Sequence, residues 1–392
     1  MRTTMATENN NKTLNVPNLR FPEFSGEWIH CALGDISDVT KLAGFEFTQY
    51  VTYEDSGSII ALRGLNCKNG RLDLSDVKYI DNSNLSKLTR SKLYIGDILF
   101  TYVGTVGEVA IIEENDRYYL APNVSRIRLN NGYNPYFVKQ LLHTNRFYNK
   151  IIFPLIATSS QPALSMENVR KFALQIPSIS EQQKISSFLA LLDERIATQI
   201  KIIEDLKKLK SAIRAKVFKQ LESSCEFWSE IGNMLQYEQP SKYLVTSTEY
   251  SDSYATPVLT ANKAFILGYT DEEFGIYSKG ECVIFDDFTM DVKYVNFPFK
   301  VKSSAIKILT SNSGNDLYFV YEYLQNLGLV SEEHKRHYIS EIEPMVVACP
   351  TFEEQQNISN LLRSFDSKIE CANRELTLYN KQKKHLLSQM FI

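Results

Sequence analysis

The sequence predicts an α+β protein. It reads as two mixed α/β domains separated by two long antiparallel coiled-coil helices, in a pseudo-twofold, cyclic order of domain, helix, domain, helix. Three observations predict this: a long gapless internal repeat, heptad spacing of apolar residues within it, and strand-like, turn-rich segments before each copy. The boundaries that follow are a disordered tail over 1–17, a first globular domain over 18–176, a first helix over 177–222, a second domain over 223–349 and a second helix over 350–392.

The repeat aligns the stretch starting at Pro177 with the stretch starting at Pro350. Glu181-Gln182-Gln183 matches Glu354-Gln355-Gln356, and Ile185, Leu189, Asp193, Ile196 and Phe218 match Ile358, Leu362, Asp366, Ile369 and Phe391. Ser178 with Glu181, and Thr351 with Glu354, have the spacing of a capping box, in which hydroxyl and carboxylate satisfy free backbone N–H groups at a helix start. Apolar residues then recur by threes and fours: Ile185, Leu189, Leu192, Ile196, Ile203, Leu206, Ile213 and Val217, and again Ile358, Leu362, Phe365, Ile369, Leu376, Tyr379, Leu386 and Met390. That spacing makes a seam for a partner helix. Polar or small residues interrupt both seams at matched places, Gln199 and Lys210, Ala372 and Lys383; such breaks weaken a seam but can set its register. A helix of roughly 38 residues spans about 57 Å, too long to be buried within one small domain.

The globular segments alternate β-branched and aromatic residues, as in Tyr94–Val103 and Gly280–Phe285, the pattern of half-buried strands. Each has a tryptophan near its start (Trp28, Trp228), a Tyr-Phe-Val run opening a helix (Tyr136–Val138, Tyr318–Val320) and a proline before the long helix. Their loops hardly resemble each other. Conserved rods between diverged globular parts suit a scaffold that carries two different reading surfaces.

Candidate nucleic-acid contacts lie in those loops. In the first segment they are Arg63, Lys68, Arg71, Arg90 and Lys92, with Lys87 nearby, then Tyr102 and Thr105 in the run to Gly107, then Ser159, Ser160 and Gln161. In the second they are Thr260, Asn262, Lys263, Thr289, Lys300 and Lys302. Lysine and arginine neutralise phosphates or read guanine, and Asn and Gln read adenine.

Composition bounds the alternatives. A chain of 392 residues calls for more than one core. A net charge of -3 argues against a protein that coats nucleic acid indiscriminately. The six cysteines form no C-x-x-C pair and lack zinc-ligand spacing, so they read as buried thiols in a reducing compartment. The polar N-terminus has no signal-peptide core and no stretch is long enough to span a membrane, which points to the cytoplasm. There is no phosphate-binding G-x-x-x-x-G-K-S/T loop. Asn134-Pro135-Tyr136 lacks the second proline of a methyltransferase motif and reads as a turn into a helix. His334-Lys335-Arg336-His337 reads as a charged turn, and Asp286 and Asp287 are expected on opposite strand faces, poorly placed to share a metal.

The doubled Pro-x-x-x-Glu-Gln-x-x-Ile-x-x-x-Leu-x-x-x-Asp-x-x-Ile pattern, after two variable β-rich domains, resembles the specificity subunits of type I restriction–modification enzymes. The entry Asn18-Leu19-Arg20-Phe21-Pro22-Glu23-Phe24 with Trp28, the Gly96–Phe100 and Gly104–Gly107 runs, and Ser160-Gln161 are similar too. The resemblance implies a subunit without catalytic residues or a cofactor of its own, whose two target recognition domains each read half of a split duplex DNA sequence. It implies that the helices set the half-site spacing and dock two methyltransferase subunits, which recruit restriction subunits. S-adenosylmethionine, ATP and Mg would serve those partners. The second domain is shorter and has no counterpart of the Gly104 and Gly107 pair. The competing expectation is a scaffold whose two domains bind proteins instead of DNA.

Overall fold

The computed structural model describes residues 2–3, 15–156, 162–260, 265–331 and 336–392. The chain divides into two compact units, Met1–Thr198 with Leu376–Ile392, and Gln199–Glu375. The first unit takes the chain's C-terminal segment, as a cyclic order requires.

In the first unit, β1 (Ser37–Lys41), β2 (Ile98–Thr101), β3 (Val109–Ile111) and β4 (Val124–Leu129) form an antiparallel sheet in the order β3-β2-β4-β1. Helix α1 (Pro135–Leu142) lies against it. Proline at its first position and Asn134 as its cap, accepting from the Phe137 N–H, define its start. A smaller sheet centres on the parallel pairing of Ile60–Leu62 with Tyr118–Leu120. Helix α2 then begins, running from Ile179 to Ser224. Residues Ile185 and Leu189 of α2 sit in one core with Trp28, Phe100, Phe137 and Phe172, and with Leu386, Met390 and Phe391 from the chain's end.

The second unit repeats this plan. β5 (Leu235–Glu238), β6 (Cys282–Asp286), β7 (Val292–Val295) and β8 (Ile306–Ser311) form a sheet in the order β5-β8-β6-β7, the same topology. Helix α3 (Leu317–Asn326) is capped by Asp316, which accepts from the Phe319 N–H. Its smaller sheet also has a parallel pair, Thr256–Leu259 with Lys300–Val301. Helix α4 (Phe352–Met390) starts here, and its Leu362 shares a core with Phe218 of α2, Phe319 and Tyr323.

Within each unit the two long helices run antiparallel. In the first, Lys383 of α4 pairs with Asp193 and Tyr379 lies under Arg195. In the second, Gln199 donates to the Ala372 carbonyl at 3.0 Å, and Lys210 pairs with Asp366 at 2.6 Å. The seam breaks are thus polar contacts between helices. Ile196, Ile203, Leu362, Phe365 and Leu386 are buried; Leu192, Leu206, Ile213, Ile358, Ile369 and Leu376 are half-buried. The outer ends of the seams differ from a simple rod, because Ile185, Leu189, Leu362 and Leu386 serve the globular cores.

Two local expectations are corrected. Only the second capping box closes, with Glu354 accepting from the Thr351 N–H at 3.0 Å. Glu181 turns instead to a bidentate pairing with Arg20, at 2.8 and 2.7 Å, and accepts from the Trp28 indole. The tryptophans also differ in place. Trp28 is buried in the first core, whereas Trp228 is half exposed on a strand paired with Ala348. The repeat matches Ala348 with Gln175, whose strand partner is His30, so Trp228 stands at the place of His30. Among the described residues no helix is long and apolar enough to cross a membrane.

Candidate nucleic-acid interface

What the Glu-Gln motif does is common to both units. Gln182 accepts from the N–H of the α1 cap, Asn134, and donates to the Pro177 carbonyl, both at 2.9 Å. Gln355 accepts from the N–H of the α3 cap, Asp316, and donates to the Pro350 carbonyl, again at 2.9 Å. One buried carboxamide therefore ties the start of a long helix to the start of the domain helix. The rings follow suit: Phe391 packs on Phe137 at 5.2 Å, and its repeat partner Phe218 on Phe319 at 5.5 Å.

The loops borne on this frame differ. In the first unit, Arg63 and Thr105 line one cleft of about 410 Å³ with Phe47, Tyr53, Leu65 and Asn123. Arg63 is held by Asp76 at 2.8 Å. The Gly104 N–H donates to the Pro162 carbonyl and the Leu164 N–H to the Tyr102 carbonyl, so residues 162–164 run beside Tyr102–Gly104. Gly104 takes φ +80°, a conformation that favours glycine. Tyr102 is buried, with the ammonium of Lys41 5.1 Å from its ring centre. Lys68 is exposed on the Cys67–Leu72 hairpin with Arg71, whose guanidinium turns to the Asp193 carbonyl at 3.5 Å. Arg90 bonds the Thr40 hydroxyl, and Lys92 pairs with Asp116 at 2.6 Å. Ser159, Ser160 and Gln161 lie outside the described residues.

In the second unit, Lys302 is exposed near Tyr250, and its N–H donates to the carbonyl of Leu259, the residue before the half-buried Thr260. Thr289 is exposed in the turn that Asp286 caps. Asn262, Lys263 and, in the charged turn, His334 and Lys335 lie outside the described residues. Lys300, like Tyr102, is buried. Its ammonium is fully buried, 2.6 Å from Glu272 and 2.7 Å from the Phe274 carbonyl, so it is spent on the fold. Burial opposes ionisation of Glu272, but hydrogen bonds from Lys300, Thr246 and Ser247 prevail and hold its pKa at about 2. Asp286 and Asp287 are both buried. Asp287 accepts from the His337 and Tyr338 N–H groups and pairs with Lys307 at 3.2 Å, an anchoring role.

Sequence reasoning missed Lys41, Phe47, Tyr53 and Asn123. The Pro122-Asn123 pair was a usable turn signal, and Asn123 does adopt φ +72°. Nothing local could have placed Lys41 over a ring sixty residues away.

Residues 26–208 match the family model for the type I restriction modification DNA specificity domain. The chain is 41% identical over 176 residues to the Escherichia coli type I restriction enzyme EcoR124I/EcoR124II specificity subunit, covering 42% of this chain and 44% of that one. It thus spans less than half the length of that relative. It is 25% identical over 368 residues to the putative MjaX specificity subunit of Methanocaldococcus jannaschii, covering 82% and 83%. By these matches the chain is similar to type I restriction–modification specificity subunits. The fold agrees. The crystal structure of the S subunit from M. genitalium is similar to this chain with a TM-score of 0.61 at 15% identity, covering 96% of this chain and 99% of that one. A type I R-M structure described for complex assembly and conformational transition gives 0.56 at 15%, covering 93% and 97%.

Proposed function

We propose that the chain is the DNA-reading subunit of a type I restriction–modification complex. Each unit reads one half of a bipartite duplex target through its unmatched loops, Arg63 to Thr105 in the first and Thr260 to Lys302 in the second. The paired helices fix the number of base pairs between the halves and dock two methyltransferase subunits, which bring the restriction subunits. Adenine methylation, ATP hydrolysis and cleavage, with S-adenosylmethionine, ATP and Mg, belong to those cytoplasmic partners.

One observation carries this reading. The contacts of Gln182 and Gln355 are the same in both units, whereas among the described residues the exposed cations stand on different supports, Lys68 and Arg71 on a hairpin in the first unit and Lys302 after a short strand in the second. A frame held constant under two different surfaces suits one docking role and two recognition roles. Mapping methylated adenines in cells with and without the chain tests it. Loss of one bipartite methylation pattern is the expected result; an unchanged methylome would refute it. Removing a matched heptad from α2 and α4 should alter the half-site separation and leave the half-site bases unchanged.

A further inference from the structure

The two units differ at one matched place beside the long helices. In the second, Arg363 of α4 lays its guanidinium 4.1 Å from the ring centre of Tyr318 and 5.0 Å from that of Tyr294. It donates to the Tyr294 hydroxyl at 2.7 Å and lies 3.5 Å from Glu281. The repeat matches Arg363 with Ala190, and the Tyr-Phe-Val runs match Tyr318 with Tyr136 and so Glu322 with Gln140. The sheet registers put Ile111 where Tyr294 stands. With alanine in place of arginine, the first unit has a cleft of about 480 Å³ lined by Ile111, Glu113, Tyr136, Gln140, Ala190 and Glu194.

The walls show what is missing. Gln140 is buried, and its amide donates to Asp193 at 3.1 Å. Its carbonyl oxygen has no hydrogen-bond partner among the described residues. The matched oxygens of Glu322 receive Lys210 at 2.6 Å and Arg214 at 3.4 Å; in the first unit the repeat puts Lys383, which turns to Asp193, and the apolar Leu387 at those two places, so this donor is missing independently of the Arg363 position. A buried acceptor without a donor is costly, and an incoming N–H removes that cost. Tyr136 leaves part of its ring exposed, and Glu113 and Glu194 supply carboxylates. Two cations, Arg71 and Lys139, also line the cleft. Arg71 turns to the Asp193 carbonyl, and burial lowers the pKa of Lys139, disfavouring its charge.

We propose that this cleft receives an arginine side chain of a methyltransferase subunit, which takes the place that Arg363 fills from within the second unit. A flat guanidinium suits a tyrosine face, a lone carbonyl acceptor and flanking carboxylates better than a compact ammonium does. The two docking faces are therefore unequal: one is complete, and the other is completed by its partner. The inference rests on the reading of the chain as a subunit that docks methyltransferase subunits.

The test co-expresses the full chain with the methyltransferase subunit of its own system and reads stoichiometry by native mass spectrometry and affinity by titration. Ala190→Arg supplies the guanidinium from within. It should weaken one of two methyltransferase sites about tenfold, giving 1:1 complexes where the wild type gives 2:1, with an unchanged melting midpoint. Ala190→Glu adds a carboxylate and should keep both sites. Should Ala190→Arg melt early, Glu113→Lys on the exposed wall gives the same readout by repelling the arginine. Full 2:1 binding by Ala190→Arg and Glu113→Lys, or loss confined to Ala190→Glu, would overturn the proposal, the latter by pointing to an acidic occupant. A wild-type chain that binds no methyltransferase at all would instead overturn the underlying reading.

Discussion

Lys210 and Asp366 lie 2.6 Å apart, and the residues that the repeat matches with them, Lys383 and Asp193, are paired as well. The two lysines that interrupt the apolar seams are thus the same contact made twice. Their surroundings differ. Lys210 also holds the fully buried Glu322 at 2.6 Å, while Lys383 meets an aspartate that already receives the Gln140 amide. Replacing Lys210 by Met leaves a buried carboxylate with Arg214 alone, a loss of about 3 kcal/mol. Replacing Lys383 by Met breaks a partly solvated pair, a loss of about 1 kcal/mol or less. Urea unfolding of the two variants checks the order. Equal losses would mean that Glu322 does not depend on Lys210.

The motif glutamines allow a comparison with an internal control. Gln182→Glu and Gln355→Glu each lose the donor to a proline carbonyl, at about 1–3 kcal/mol. The second variant also sets a carboxylate beside the helix cap Asp316, where the first meets the neutral cap Asn134. Gln355→Glu should therefore melt lower than Gln182→Glu at pH 7. The gap should close near pH 4, where protonation restores a donor and removes the repulsion. Melting curves at both pH values decide it.

Acid should release the Lys300–Glu272 pair late. A carboxyl held at about 2 contributes stability that is fully present above the ordinary glutamate range near 4.3 and fades as pH falls toward 2. Glu272→Gln leaves the buried Lys300 ammonium without its anion and should cost about 3 kcal/mol at neutral pH. The difference between wild type and variant should shrink between about pH 4 and pH 2. A difference independent of pH across that interval would assign the pair no electrostatic role.

The helices were legible because their signals are local and twice stated. Caps, heptads and the Glu-Gln motif lie within a few residues of what they control, and the copies check each other. The Tyr-Phe-Val helices were legible for the same reason, with Asn134 and Asp316 each two residues before the tyrosine. The capping role of Glu181 was misread because Arg20 and Trp28, more than 150 residues away, compete for the carboxylate. The tryptophan match failed because composition near a domain start carries no register; only the strand pairing shows that Trp228 occupies the place of His30. Lys300 looked like a loop cation because its neighbours Val301 and Lys302 alternate as any edge would. Its burial depends on Glu272 and Phe274 arriving from another strand connection.

That last contrast separates reading residues from framing ones. Lys302 is exposed and Lys300 is buried, two positions apart, because the strand ends at Val301 and the chain bends at Lys302. If the second unit's loops meet duplex DNA, Lys302→Ala should weaken binding of the assembled complex about equally for cognate and non-cognate duplexes. It should also lower the slope of log affinity against log salt by about 1, the signature of one lost phosphate contact. Lys300→Met should leave that slope alone and lower the melting temperature, because its charge neutralises Glu272 and not a phosphate. Binding titrations between 50 and 200 mM salt, read against melting curves, distinguish them. A reversed pattern would place the phosphate contact on the buried residue and refute the assignment of this surface.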